Sequence, residues 1–328
     1  MESRNTLILV NPKARGGDAG TNWKELEKQL LEALGEDSAQ VVFTSAEDHG
    51  SGAVRDALKK GIRKVVVVGG DGTVSEAVQG FFENGEAISP EACLIVMPAG
   101  RGDDFFKSIV GHRMLSSRGA WEEGLALIRN GRSLPADLGR VEWLSGGGRY
   151  FINVVSFGYP GLVVQKVLSR TGIFGKSRAG KSAWTYLIHS ATGVLEYRPV
   201  RAEIKIDGEI VFDAPVFSGF VLNGRYNGGG ICWNKDARID DGLFHVVVSE
   251  PQKPFFSLLN APRMLSGDWD VKGIHVRSGK RIEIRPLEEP RGGHPFFEVD
   301  GDQTEDLLRE GNKGAVFEMM AGKIRIRR

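Results

Sequence analysis

Four consecutive valines, Val65 to Val68, run directly into Gly69-Gly70-Asp71-Gly72-Thr73. An uninterrupted β-branched run of this length fits a strand buried on both faces of a parallel sheet. Glycines at 69, 70 and 72 let the backbone turn sharply and approach a ligand with no Cβ in the way. On this reading Thr73 opens a helix, with Glu76 completing a Thr-x-x-Glu capping box and Val74, Ala77, Val78 and Phe81 at helical spacing. Strand, glycine turn and helix start together aim free N–H groups and a positive dipole end at one point, where a phosphate would sit. A tight βα turn without a ligand has the same outline. Asp71 argues against it, since a carboxylate among exposed amides suits the management of a metal or a proton.

The surrounding chain agrees. Patterning over 6–10, 40–44, 64–68 and 93–97 predicts strands, alternating with helices, one capped by Thr21 with Trp23, Leu26, Leu30 and Leu34 on a single face, another over 52–60. Such alternation predicts a doubly wound parallel sheet that binds ligands beyond the carboxyl ends of its strands. Four loops then converge on one edge: the loop from Asn11, that at Thr44, the Gly69–Thr73 turn and the loop from Pro98 to Asp104. Near Asp137 the rhythm changes to short strands over 138–143, 149–155, 200–206, 216–223, 244–250, 273–276 and 281–285, separated by glycine-rich turns. This pattern predicts an antiparallel β-sandwich, interrupted by a helix over 181–195 and a weaker one over 255–265. The expected fold is α/β in two domains: a doubly wound parallel-sheet domain over 1–136 and a β-sandwich over 137–328, whose last strands pack back on the first domain.

Composition narrows the function. The 328 residues carry a formal net charge of +1, which gives no reason to expect a nucleic-acid partner. The basic end, Lys323 to Arg328, alternates like a final strand with a solvated face. Two cysteines in apolar context, Cys93 and Cys232, suggest a reducing compartment without a disulfide framework. With no visible signal peptide and no apolar run long enough to span a bilayer, the expectation is a cytoplasmic protein, peripheral on a membrane at most. Six histidines show no ligand spacing, which argues against zinc, and no Gly-x-Ser-x-Gly elbow marks a hydrolase.

Five motifs in order now bear on the family: Gly69-Gly70-Asp71-Gly72-Thr73-x-x-Glu76, Pro98-x-Gly100-x-x-Asp103-Asp104-Phe105, Tyr150-Phe151-x-Asn153, Asp240-Asp241-Gly242-Leu243 and Asp300-Gly301-Asp302. Nearly the whole chain thereby resembles the diacylglycerol-kinase catalytic family, the bacterial lipid kinases related to sphingosine and ceramide kinases. The resemblance implies an ATP-binding first domain, a lipid-substrate second domain, and transfer of the γ-phosphate of ATP to a lipid hydroxyl, diacylglycerol-like or sphingoid, at a membrane surface. It implies nucleotide contacts from Asn11, Thr44, Gly69, Gly70, Asp71, Gly72, Thr73, Ser75, Glu76 and Arg101. Asp302 would be the base, with Asp300 the nearest alternative, and Asp71 would act through magnesium or the phosphates. A structural magnesium would be held by the Asp241 carboxylate and the carbonyls of Arg238 and Leu243; a plain turn is the other reading of that segment. The chain departs from the family at three places: Arg101 replaces the usual threonine, Ser75 an asparagine, and Asp302 a glutamate one methylene longer. Arginine still grips phosphate and aspartate still accepts a proton.

Gly175-Lys176-Ser177-Arg178-Ala179-Gly180-Lys181-Ser182 also matches the Walker A pattern. The residues before it, 169–174, make a poor core strand, so a mobile basic loop carrying Ile173 and Phe174 toward an anionic membrane surface is the alternative. Two rival functions remain: an NAD kinase, which shares the first glycine motif, and a nucleotide or lipid sensor without catalysis. The lipid's identity and the oligomeric state, a homodimer included, stay open.

Overall fold

In chain order the first half runs β1 (Thr6–Val10), the single turn α1 (Asp18–Thr21), α2 (Trp23–Leu34), β2 (Gln40–Phe43), α3 (Ser51–Lys59) and β3 (Lys64–Gly69). It continues with α4 (Asp71–Gln79), the short strands β4 (Phe82–Glu83) and β5 (Glu86–Ala87), β6 (Cys93–Pro98), α5 (Asp104–Val110) and α6 (Ser117–Asn130). The structure, a computed structural model, describes residues 5–45, 50–100, 102–111, 116–160, 197–252, 267–290, 296–301 and 313–328. The long strands pair in parallel in the order β2-β1-β3-β6. Val65 to Val68 are fully buried. Strand alternation sends Val65 and Val67 toward Val54, Val74 and Phe105, and Val66 and Val68 toward Leu30, Trp121 and Leu125. Helices therefore cover both faces, and the valine run needs no polar side.

The second half comprises β7 (Ser133–Trp143), β8 (Gly148–Phe151), β9 (Val154–Gly158), β10 (Val200–Ile206), β11 (Glu209–Val216) and β12 (Ser218–Leu222). After the hairpin of β13 (Tyr226–Asn227) and β14 (Ile231–Cys232) come β15 (Phe244–Ser249), β16 (Ile274–Gly279), β17 (Arg281–Pro286), β18 (Phe297–Val299) and β19 (Ala315–Arg327). Strands β16-β15-β12-β9-β18 form an antiparallel sheet. It packs on a second layer that includes β7, β8, β10, β11, β17 and β19 through Phe151, Phe157, Phe244, Phe297 and Phe317. This is the β-sandwich. The single strand expected over 149–155 is two: β8 pairs with β7 in one layer and β9 with β12 and β18 in the other. An apolar run that changes sheets looks continuous in sequence.

β19 ties the halves together. Its first residues pair with β17, its length with β7, and Arg325 and Ile326 with β6 of the parallel sheet. The boundary expected after residue 136 falls inside β7, because Ser133 to Ala136 pair with Ile324 to Arg327. The basic end is no solvated face alone. Arg327 donates to the carbonyls of Leu127 and Ile128 at 3.1 and 2.6 Å, at the C-terminal end of α6, where a cation is favoured. Thr21 does not cap α2; its hydroxyl donates to Gly17 O at 3.2 Å, since the turn α1 already occupies that stretch, and Asn22 precedes the helix. Among the described residues no helix is long and apolar enough to cross a membrane. The helices expected over 181–195 and 255–265 lie outside the described residues.

Candidate active site

β3 ends at Gly69, and the extended Gly70 (φ −94°, ψ −173°) leads into α4. Gly70 O accepts from the amides of Thr73 and Val74 at 3.0 and 3.1 Å, so the helix starts at Asp71. The expected capping box does not form, because Thr73 already lies within the first turn. Its hydroxyl accepts from Asn11 Nδ2 at 3.2 Å, while Glu76 pairs with Arg149 at 3.0 Å. No side chain caps α4, and the amides of Asp71 and Gly72 meet no acceptor among the described residues, the usual state of first-turn amides open to a ligand. A Cβ on Gly72 would touch nothing within 4 Å, whereas one on Gly69 would lie 2.6 Å from Thr73 Oγ1. Gly69 is thus required by packing and Gly72 lies on an open rim. Asn11 N donates to Val68 O at 3.0 Å and Thr44 N to Val10 O at 2.8 Å, which brings both residues to the same sheet edge.

The second glycine loop abuts this turn backbone to backbone. A Cβ on Gly100 would lie 2.5 Å from Gly70 Cα. The loop is held by three carboxylates. Asp71 accepts from the amides of Asp104 and Phe105 at 3.1 and 2.8 Å, so it caps α5 from outside. Burial, then the Asp104 charge, push Asp71 up to about 7. Asp103, in the left-handed region (φ 49°), accepts from Gly100 N at 2.8 Å and is pushed up to about 6, chiefly by burial. Asp104 is buried against Lys107.

From the second half, Asp300 reaches the middle of α4. Its carboxylate accepts from the amides of Ile152, Asn153 and Val154, each at 3.0 Å, and from the Ser75 hydroxyl. Burial raises its pKa above the ordinary carboxylate value against these bonds. Gln79 bonds both the amide and the carbonyl of Tyr150, at 3.0 and 2.8 Å. Ser75 and Glu76, which the family resemblance implies as nucleotide contacts, are engaged with Asp300 and Arg149 and join α4 to the β8–β9 segment.

The site thus consists of a bare glycine turn, an acidic loop beside it and a carboxylate strut from the β-sandwich. Residues 5–141 match a family model for the diacylglycerol kinase catalytic domain, and residues 153–315 one for the YegS C-terminal NAD kinase beta sandwich-like domain. Proteins named "Probable lipid kinase YegS-like" from Klebsiella pneumoniae and Pseudomonas aeruginosa are 29% and 30% identical over 275 and 265 residues. The matches span 80% and 79% of this chain and 82% and 72% of those proteins. The chain belongs to the diacylglycerol-kinase catalytic family, among the YegS-like proteins. A crystal structure of a diacylglycerol kinase from Bacillus anthracis shares the fold, with a TM-score of 0.67 at 19% identity over 100% of this chain and 97% of that one.

Within this YegS-like chain, the Asp241 turn is already bonded. Asp241 accepts from Leu243 N at 3.0 Å and faces His245 Nε2 at 2.9 Å. The Arg238 side chain pairs instead with Asp240. Among the described residues the carbonyls of Arg238 and Leu243 accept no hydrogen bond, and no three His, Cys, Asp or Glu cluster as ligands. A cation here would share Asp241 with His245 and rely on carbonyls and water, a donor set that suits magnesium. The turn is anchored by Asp137, which accepts from Gly242 and Gly322 at 2.7 and 2.8 Å. It therefore joins loop to β19 and is not a local hairpin. Arg101, Asp302 and the Walker-like 175–182 lie outside the described residues. Arg149 and Asp137 carried no motif signal, because each acts through a partner distant in sequence.

Proposed function

We propose that this chain is an ATP-dependent kinase that moves the γ-phosphoryl group to the hydroxyl of a lipid, of diacylglycerol or sphingoid type. The observation that carries the reading is the β3–α4 turn, where the amides of Asp71 and Gly72 meet no acceptor among the described residues and Gly72 lies on an open rim, with the Thr73 hydroxyl bonded by Asn11 just behind it. Amides at a helix start hold phosphate by hydrogen bonds and by the dipole together. Asn11 and Thr44 line the nucleotide, Gly69 and Gly70 admit close backbone approach, and Arg101 grips phosphate through its guanidinium. Magnesium, when bound, would supply neutralisation of the phosphate charge, and Asp71 would meet it by exchanging one of its α5 amide bonds. Asp302 takes the hydroxyl proton as the lipid oxygen bonds to the γ-phosphorus and the β–γ bridging oxygen leaves with its electron pair. Ser75 and Glu76 keep α4 in register with the β-sandwich. The turn formed by Arg238, Asp241 and Leu243 is the place for a second, structural magnesium. An apolar acceptor puts the reaction at a membrane surface, with the protein a peripheral visitor from the cytoplasm.

The test is transfer. Purified protein incubated with γ-labelled ATP, magnesium and total lipid extract yields a labelled lipid, and Asp71→Ala lowers the rate about a hundredfold or more. Lys181→Ala leaves the rate intact. Label on added NAD in place of lipid would make the protein an NAD kinase, and ATP binding without any transfer would make it a sensor.

A further inference from the structure

Lys107 is a buried cation. It is the fourth of the seven residues of α5 and only 7% exposed. Its ammonium donates to Gly102 O at 2.6 Å and to Asp104 Oδ1 at 3.2 Å. Asp104 uses its other oxygen to accept the amide of Gly229 at 2.8 Å. Gly229 lies between β13 and β14, in the hairpin contributed by the second half. A Cβ on the next residue, Gly230, would come within 3.0 Å of Lys107 Nζ, so the hairpin backbone rests on the ammonium itself. One side chain pair thus touches the second glycine loop on one side and the β13–β14 hairpin on the other.

Desolvating such a pair costs several kcal/mol unless further hydrogen bonds compensate. Here Gly102 O and the Gly229 amide supply them. Lys107 also stands beside two carboxylates of the loop, those of Asp103 and Asp104. Without its charge, their repulsion would push the loop off the contact that Gly100 and Gly70 form backbone to backbone.

We infer that Lys107 is a positioning residue: with Asp104 it latches Gly102 of the second glycine loop to the Gly228–Gly230 hairpin and so holds that loop against the β3–α4 turn in its nucleotide-binding shape. The inference rests on the kinase reading for its kinetic consequence but not for its structural one. Lys107→Met should raise the ATP dissociation constant and the KM for ATP about tenfold, the equivalent of about 1.4 kcal/mol. The KM for lipid should stay within about twofold, and Lys107→Arg should recover most of the loss. Amide exchange over residues 226–232 should accelerate in the methionine variant and not in the arginine one. If the methionine variant does not fold, Lys107→Gln, which keeps an N–H for Gly102 O, carries the same expectations. A folded variant with unchanged ATP binding overturns the inference, as does an equal loss in every parameter or unaltered exchange in the hairpin. Should the parent protein transfer no phosphate to lipid, the kinase reading fails while nucleotide binding and hairpin exchange still decide the latch.

Discussion

Both oxygens of Asp71 accept amides of α5, yet burial and the Asp104 charge push its pKa up to about 7 from the ordinary carboxylate value of 3.8. An acid whose folded pKa is raised holds its proton in the folded state over that interval, so the folded state binds more protons. Its contribution to stability is greatest below about pH 4 and is lost as pH rises through about 7. Asp71→Asn removes the titration. Between pH 5 and pH 8 the asparagine variant should therefore gain about 2–3 kcal/mol relative to the parent, read from urea midpoints in the absence of nucleotide. An offset independent of pH would contradict this. That Asp71 is unusual was legible from its glycine context. Its partners were not, because Asp104 and Phe105 stand more than thirty positions away (|i−j| of 33 and 34) and meet it only after β6 has paired with β3.

At the scale of elements, the parallel sheet was readable because its strands are buried on both faces and need no partner to announce themselves. The start of α4 was misread for a physical reason. A Thr-x-x-Glu pattern and an extended glycine N-cap compete for the same turn, and the close packing of Thr73 over Gly69 fixes the outcome. Gly70 and Gly100 set the contact between the two glycine loops. Gly100→Ala would force a Cβ to within 2.5 Å of Gly70 Cα and 2.7 Å of Asp103 Oδ1. It should cost about 1–3 kcal/mol by denaturant unfolding and weaken ATP binding, whereas Gly72→Ala, helical and without a neighbour, should be neutral or stabilise by up to about 1 kcal/mol. Equal costs at the two positions would show that the loops do not touch as described. The Ser75–Asp300 and Glu76–Arg149 links were invisible in sequence, since each joins α4 to a strand of the other half.

At the scale of the molecule, the two halves share a strand; the return of the last strands to the first domain was legible, their register was not. β19 reads as any alternating strand; that its ends pair with different halves is a matter of long-range register. Asp137 adds a second tie through Gly242 and Gly322. Asp137→Ala would strand two amides and should cost about 2–4 kcal/mol in a single cooperative transition. A variant that unfolds in two steps would show instead that the halves are stable alone.

The account stands or falls on where the triphosphate sits. A crystal structure with a non-hydrolysable ATP analogue and magnesium tests this most directly. Phosphate oxygens should lie within hydrogen-bond reach of the Asp71 and Gly72 amides and the Thr73 hydroxyl, with the base toward Asn11 and Thr44. Phosphates cradled by residues 175–182, or a β3–α4 turn left bare while nucleotide binds elsewhere, would contradict it.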